Sequence, residues 1–305
     1  MSGPLLSIIY VARDDNYGDD YNVVEFAHND IRRTDVNFYN NFIIKYNNIQ
    51  RIKFTLNHNI NLLNKYFKND YEIIFVDWSP ISENYLTNNS ELCNLLKNER
   101  IKNIIVGDEI VKDRGLNPKG FYEYFGKNVG IRQSQGKHIL ISNPDDVITD
   151  ELMRNIHIKL TSGIKNEYYR CYSRLDVDHE LKIIAEGLSF PKNGNILDEV
   201  IGTPASGDFV LTTKEILVNM TGYCEEYSNG NQSMLDGKIL INLYKKGVVP
   251  CQIEGSILHL DHKKHDRAGK PNDWTEKYIN EKNIWGFNNY NIKNTNGNIY
   301  ELEIK

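Results

Sequence analysis

Leu140-Ile141-Ser142-Asn143-Pro144-Asp145-Asp146-Val147-Ile148 is the stretch that decides how this chain folds. An apolar run that begins at Gly136-Lys137-His138-Ile139 stops at a proline and delivers two adjacent carboxylates. Pro144 has no N–H to give to a ladder, so the strand is expected to end there. In open α/β sheets, ligands bind outside the carboxyl ends of the parallel strands. Asp145 and Asp146 stand at such an end, and hard oxygen ligands there suit Mg²⁺ or Mn²⁺ holding a phosphate group. For the dipeptide alone, a solvated turn is the plainer reading, because Asp is a common turn residue.

The sequence upstream repeats the same grammar. Leu6 to Val11 is short, β-branched and bounded by charge, as a buried strand is. Ile52, Leu56, Ile60, Leu63 and Phe67 recur at helical spacing, and Tyr71 to Val76 is a second strand ending at Asp77. A helix is expected near Glu91 to Leu96, a third strand over 102–106, and a helix over 121–135 closed by Gly136. The order β-α-β-α-β-α-β implies a parallel sheet with helices on its faces. Right-handed crossovers put the strand ends on one edge, so Ala12-Arg13, Asp77 and Asp145 are expected to converge.

Downstream the pattern is looser. Helices are expected over 150–159, 213–220 and 235–245, and strands over 208–211 and 248–258. The chain from Ala268 onward reads as a polar tail anchored by Trp274 and Trp285. Neither repeats nor a Pro/Ser-rich linker breaks the sequence, so one domain is expected over 1–305. It divides into a nucleotide-side half (1–147), an acceptor half (148–265) and a tail packed on the domain (266–305).

Composition narrows the function classes. The 305 residues carry a formal net charge of -5, with 40% apolar and 25% charged residues, as an ordinary globular protein does. Mild acidity argues against coating a nucleic acid, which needs a basic face. The four cysteines, Cys93, Cys171, Cys224 and Cys251, are far apart, so reduced thiols in a cytoplasmic setting are expected. No apolar stretch reaches the length of a bilayer span, and the opening Met1-Ser2-Gly3-Pro4 lacks the basic start of a signal peptide. The richness in Asn, Ile, Lys and Tyr points to an AT-rich genome and raises the chance rate of any Asn-based motif.

With these elements in order, the chain resembles GT-A-fold glycosyltransferases, and most of all the family 2 type that uses nucleotide-sugar donors. Five segments carry the resemblance: Ser7-Ile8-Ile9-Tyr10-Val11, Glu72 to Ser79, Asn128 to Lys137, Asn143-Pro144-Asp145-Asp146, and Gly207-Asp208-Phe209 through Gly222-Tyr223-Cys224-Glu225. Divergent members encoded by large DNA viruses share the AT-rich composition. The resemblance implies an α/β fold of GT-A type: a mostly parallel central sheet flanked by helices, with a Rossmann-like nucleotide-binding half fused to an acceptor-binding half. It implies a divalent-metal-dependent transfer of a sugar, from a UDP-sugar above all, to the hydroxyl of a glycan, protein or lipid-linked acceptor, with inversion.

Residue roles follow from that resemblance. Asp77 stands where the family bonds the uracil base, although Trp78 replaces a frequent second acid. Asn128 and Arg132, four apart on a helix, stand beside the ribose and phosphates. Asn143-Pro144-Asp145 matches the family's D-x-D motif with Asn in place of the first acid; Asp145 is then the principal metal ligand and Asp146 its supporting neighbour. A late histidine often joins the metal or pyrophosphate, and His259 and His262 are both candidates within the cluster His259-Leu260-Asp261-His262 and His265. A separate zinc site is a rival use of that cluster, without cysteine partners. Ala12, Arg13, Asp15 and Tyr17 follow strand one and are candidate nucleotide contacts. Glu225 is the leading candidate base, with Glu226 and Asp236 as alternatives, and Asp208 is a candidate for the sugar hydroxyls. A carboxylate that takes the acceptor proton is commonly worth about 10²- to 10⁴-fold in rate.

Two other functions compete. A sugar-phosphate nucleotidyltransferase needs a Gly-rich basic loop after strand one to hold a triphosphate. Arg13-Asp14-Asp15 is acidic instead. A non-catalytic glycan-binding protein that kept the fold would account for Asn143.

Overall fold

The structure is a computed structural model that describes residues 3–14, 47–78, 85–186, 209–225, 235–262, 278 and 280–305. Four strands form its centre: β1 (Leu6–Ala12), β2 (Tyr71–Trp78), β3 (Ile101–Val106) and β4 (His138–Ser142). All four are parallel, in the spatial order β3-β2-β1-β4. Runs such as Ser7-Ile8-Ile9-Tyr10 and Ile73-Ile74-Phe75-Val76 are buried on both faces, which is why they read as continuous rather than alternating. As expected, the strand ends share one edge: Ala12 of β1 pairs with Asp77 of β2, while Ile9 pairs with Ile141 of β4. Two strand spacings, about 10 Å, separate the ends of β2 and β4 across β1.

Helices cover both faces. On one lie α1 (Asn48–Tyr66), the short α2 (Cys93–Leu96) and α5 (Asp150–Ser162), packed on Leu6, Ile8, Tyr10 and Phe75. On the other lie α3 (Asp108–Asp113), α4 (Glu123–Gln133), α6 (Lys214–Asn219) and α7 (Leu235–Lys245), packed on Ile9, Val11, Ile74 and Val76. Asn47 starts α1 with a reciprocal capping box to Gln50. Two glycines set α4 down on β1: a methyl at Gly126 would lie 2.5 Å from Val11, and one at Gly130 2.4 Å from Ile9. That close seat places Lys127 and Asn128.

Beyond β4 the sheet turns mixed. β8 (Phe209–Thr213) runs antiparallel to β4 and meets β6 (Glu167–Val177), from which β7 (Ile183–Glu186) folds back. β9 (Val249–Leu260) lies parallel to β6, and the three-residue β5 (Asp146–Ile148) closes this side, antiparallel to β9. At the opposite edge, β11 (Ile299–Glu303) adds to β3 in parallel and β10 (Asn291–Asn296) pairs with it.

Two local expectations are corrected. Gly136 does not close α4 in a left-handed conformation; the helix ends at Ser134 in extended backbone. Gly136 is small because its amide sits against β1, where a methyl would lie 2.3 Å from Ser7 Oγ. The chain's end is more than a polar tail, since Ile299–Glu303 completes the sheet beside β3. Among the described residues, no helix is long and apolar enough to cross a membrane, and all four cysteines are free thiols.

Candidate metal and nucleotide site

The site is built on a tight turn. After Ser142, the Asp146 amide donates to Asn143 O (3.1 Å), and Asp146 Oδ2 accepts from the Asn143 amide (3.0 Å). Asp146 is fully buried and so supports the turn from beneath, while Asp145 projects from it. The Asp145 carbonyl accepts from the Leu260 amide at 3.0 Å, which ties the turn to the end of β9. That bond explains how 114 residues of sequence separation collapse into one cluster.

Asp145, His259 and His262 meet there. Asp145 Oδ2 lies 3.0 Å from His262 Nε2 and 3.6 Å from His259 Nε2. The two rings are 5.1 Å apart, and all three side chains are buried or nearly so. Strand alternation alone would set His262 on the face opposite His259. β9 ends at Leu260, and the chain turns there, so both rings face the same carboxylate.

The far side of His259 fixes its protonation. Nδ1 lies 3.0 Å from Asp176 Oδ1, a carboxylate oxygen that can only accept, so Nδ1 carries the proton. Arg174 Nε holds the same Asp176 oxygen at 3.3 Å. Burial first, and then the Arg174 charge, push the His259 pKa down. Burial alone would raise Asp145; the His259 and His262 imidazoles and the Arg51 guanidinium outweigh it and hold the carboxyl below its usual range. One carboxylate and two imidazoles whose ligand atoms lie within 4.8 Å of one another form a donor set that fits a divalent cation. The carboxylate behind His259 is the partner that metal-bound imidazoles commonly have.

A positive charge stands beside the turn. Lys127 Nζ, buried under α4, donates to Asn143 Oδ1 at 3.1 Å and pairs with Glu123 at 2.5 Å. It also lies 5.8 Å from the Tyr223 ring. Among the described residues the Tyr223 hydroxyl has no hydrogen-bond partner; burial first, and the Glu123 and Asp236 charges against those of Lys127 and Arg170, push it up to about 12. Lys127 thus links Asn143 and Glu123 to the buried Tyr223 ring. Neither Lys127 nor Asp176 belongs to a local sequence motif.

Other expected site residues are held elsewhere. Glu225 is buried, accepting from Asn128 Nδ2 (2.8 Å), the Gly286 amide (2.8 Å) and Arg114 Nη2 (3.0 Å). Burial raises its pKa against those donors. Asn128 spans to Tyr223 as well, accepting from its amide and donating to its carbonyl. Arg132 stacks 3.9 Å over Trp285 and donates to the carbonyls of Trp285 and Lys282. It sits in the last turn of α4, towards the edge of the sheet opposite Asp145. So Asn128, Arg132 and Glu225 form one bracket with the C-terminal segment, apart from the Asp145 cluster. Gly286 is required in that bracket, with φ of 59° and Asn128 O 2.7 Å from where its Cβ would be.

Asp77 is fully buried at the end of β2, and its Oδ2 accepts from the Thr87 amide at 3.0 Å. Burial pushes its pKa up to about 7. Trp78 points the other way, into the core, against Tyr122 and Phe287. Ala12 is buried beside Asp77, while Arg13 donates to Lys119 O at 2.9 Å and covers the Phe121 ring. Pro144 sits half-buried in the turn. Asp15, Tyr17, Asp208, Glu226 and His265 lie outside the described residues.

No known family profile matches the chain, and no curated protein matches it by sequence. Similar solved structures include residues 1–349 of S. aureus TarS (TM-score 0.46, 13% identity, covering 84% of this chain and 58% of that one). A mannosyltransferase from Pyrobaculum calidifontis in complex with GDP-Man and Mn²⁺ gives 0.46 at 10% identity, covering 83% and 56%. A Drosophila β-1,4-galactosyltransferase 7 complex with manganese, UDP-Gal and xylobiose gives 0.47 at 9% identity, covering 98% and 92%. The chain thus spans less than two thirds of the first two proteins.

Proposed function

We propose that the protein is a glycosyltransferase that moves a sugar from a nucleotide-sugar, a UDP-sugar above all, to an acceptor hydroxyl, with a divalent cation held by Asp145, His259 and His262. One observation carries the reading: the Asp145 carboxylate meets His262 Nε2 at 3.0 Å and His259 Nε2 at 3.6 Å, with the Asp176 carboxylate on the far nitrogen of His259. That arrangement lies at the carboxyl edge of a parallel sheet, where nucleotides bind in open α/β folds. When bound there, Mn²⁺ or Mg²⁺ neutralises charge on a leaving diphosphate.

The chain's own residues supply the rest. Lys127, oriented by Glu123 and Asn143, adds a fixed positive charge beside the phosphates. Asp176, braced by Arg174, keeps the proton on the outer nitrogen of His259. Asp77 orders the turn at 85–88 by accepting from the Thr87 amide at the end of β2. Inversion needs a carboxylate that takes the acceptor proton. Glu225 accepts from three donors and Asp236 stands in the first turn of α7; of these two candidates we assign the step to Asp236.

Thermal melts with nucleotides and nucleotide-sugars, with and without Mn²⁺, test the reading, because a ligand that binds only the native state raises its melting point. A UDP-sugar is expected to raise it only when Mn²⁺ is present. Asp236→Asn is expected to keep that shift and to slow transfer by about 10²- to 10⁴-fold. If no nucleotide shifts the melt in the presence of Mn²⁺, the reading fails.

A further inference from the structure

The ligand-bearing turn has a supporting contact that no motif announces. β5 is only three residues long and, among the described residues, is an edge strand of the sheet. Its inner side is paired to β9, with Asp146 opposite His259. On its outer side stands the fully buried side chain of Asn59, from the middle of α1. Asn59 Nδ2 donates to Asp146 O at 3.0 Å, and Asn59 Oδ1 accepts from the Ile148 amide at 2.9 Å. The second Nδ2 proton goes to the Tyr10 hydroxyl at 2.9 Å, on β1.

One side-chain amide thus bonds the carbonyl of residue 146 and the amide of residue 148. A neighbouring parallel strand makes the same pair of bonds, skipping one residue between them. Asn59 therefore completes the ladder that β5 lacks on its outer side, and through Tyr10 ties it to the central strand. Both amide protons and one acceptor position are used, which leaves the side chain a single orientation. Aspartate would keep the acceptor and lose both donors, and leucine would lose all three bonds.

We infer that Asn59 is a positioning residue that sets the distance between the Asp145 carboxylate and the two imidazoles. Asp145 directly precedes β5, and His259 is paired with its first residue, so any slip of β5 changes both ligand distances together. The inference rests on reading Asp145, His259 and His262 as metal ligands. Contacts behind a ligand set commonly change metal affinity by about 10- to 100-fold when lost.

The test compares wild type with Asn59→Asp, Asn59→Leu and Tyr10→Phe. Mn²⁺ affinity is read by electron paramagnetic resonance, and the histidine ring nitrogens by ¹⁵N NMR without metal. About tenfold weaker Mn²⁺ binding is expected for both Asn59 variants, with shifted His259 and His262 nitrogens. Tyr10→Phe keeps both bonds to β5 and is expected to stay within about twofold of wild type. Should Asn59→Leu fail to fold, Asn59→Asp decides, because it keeps the bond to Ile148. Unchanged affinity and unchanged nitrogen shifts in a folded Asn59 variant would overturn the inference. Wild type that binds no Mn²⁺ would overturn the metal reading instead, and the nitrogen shifts would still decide whether Asn59 positions the cluster.

Discussion

Asp145 and Glu225 are both carboxylates held at loops around α4, and their surroundings are opposite. Glu225 meets only donors: an amide side chain, a backbone N–H and a guanidinium. Its charge is balanced, and the bracket it forms with Asn128, Arg114 and Gly286 is complete. Asp145 meets two imidazoles, His262 Nε2 at 3.0 Å and His259 Nε2 at 3.6 Å. The difference separates an acid bonded into a closed bracket from an acid grouped with imidazoles in a set that fits a cation.

The contrast breaks most sharply at Glu225. Glu225→Ala strands a guanidinium, a side-chain amide and a backbone N–H, so it is expected to cost ~3–5 kcal/mol of stability. Chemical denaturation measures that loss, and Mn²⁺ affinity is expected to hold. A variant that is as stable as wild type but cannot transfer sugar would make Glu225 the base after all.

Asp77 gives the next effect, through pH. Its folded pKa of about 7 lies above the unfolded value of about 3.9, so the folded state binds the extra proton between them. Its contribution is full below pH 4 and is lost as pH rises towards 7. Asp77→Asn removes this titration. Relative to wild type, the variant is expected to gain on the order of 2–3 kcal/mol between pH 5 and pH 8, read from urea melts at both pH values. An equal difference at the two pH values would show that Asp77 does not titrate in this window.

The smallest effect belongs to Arg132. Its stacking on Trp285 and its two carbonyl bonds place it in the bracket, so Arg132→Ala is expected to cost about 1–2 kcal/mol and to leave Mn²⁺-dependent nucleotide binding unchanged. Weakened nucleotide binding with unchanged stability would move Arg132 to the donor site.

The core of this fold was legible because doubly buried parallel strands leave continuous apolar runs. Ile8-Ile9 and Ile73-Ile74-Phe75-Val76 announce themselves, and crossover handedness then orders the strands. Asp145, His259 and His262 stood out as candidates because two acids and three histidines crowd short stretches at strand ends and the family resemblance joins them, and the fold brings the three together. Asn128 and Arg132 do share a helix face, but spacing does not say what that face meets. Here it meets the C-terminal segment, whose strands Asn291–Asn296 and Ile299–Glu303 are too polar to show a pattern. Lys127 and Asn59 were hidden by composition: single Lys and Asn residues carry no signal in a chain rich in both. Asp176 sits 83 residues from its partner, and only the pairing of β6 with β9 joins them.

The direct test of the central claim is an Mn²⁺ titration of the whole chain, followed by electron paramagnetic resonance, with Asp145→Asn, His259→Ala and His262→Ala alongside. A single bound ion is expected in wild type, about 100-fold weaker in each variant, with Glu225→Gln and Arg132→Ala binding as wild type does. Wild-type affinity in all three ligand variants would contradict the account.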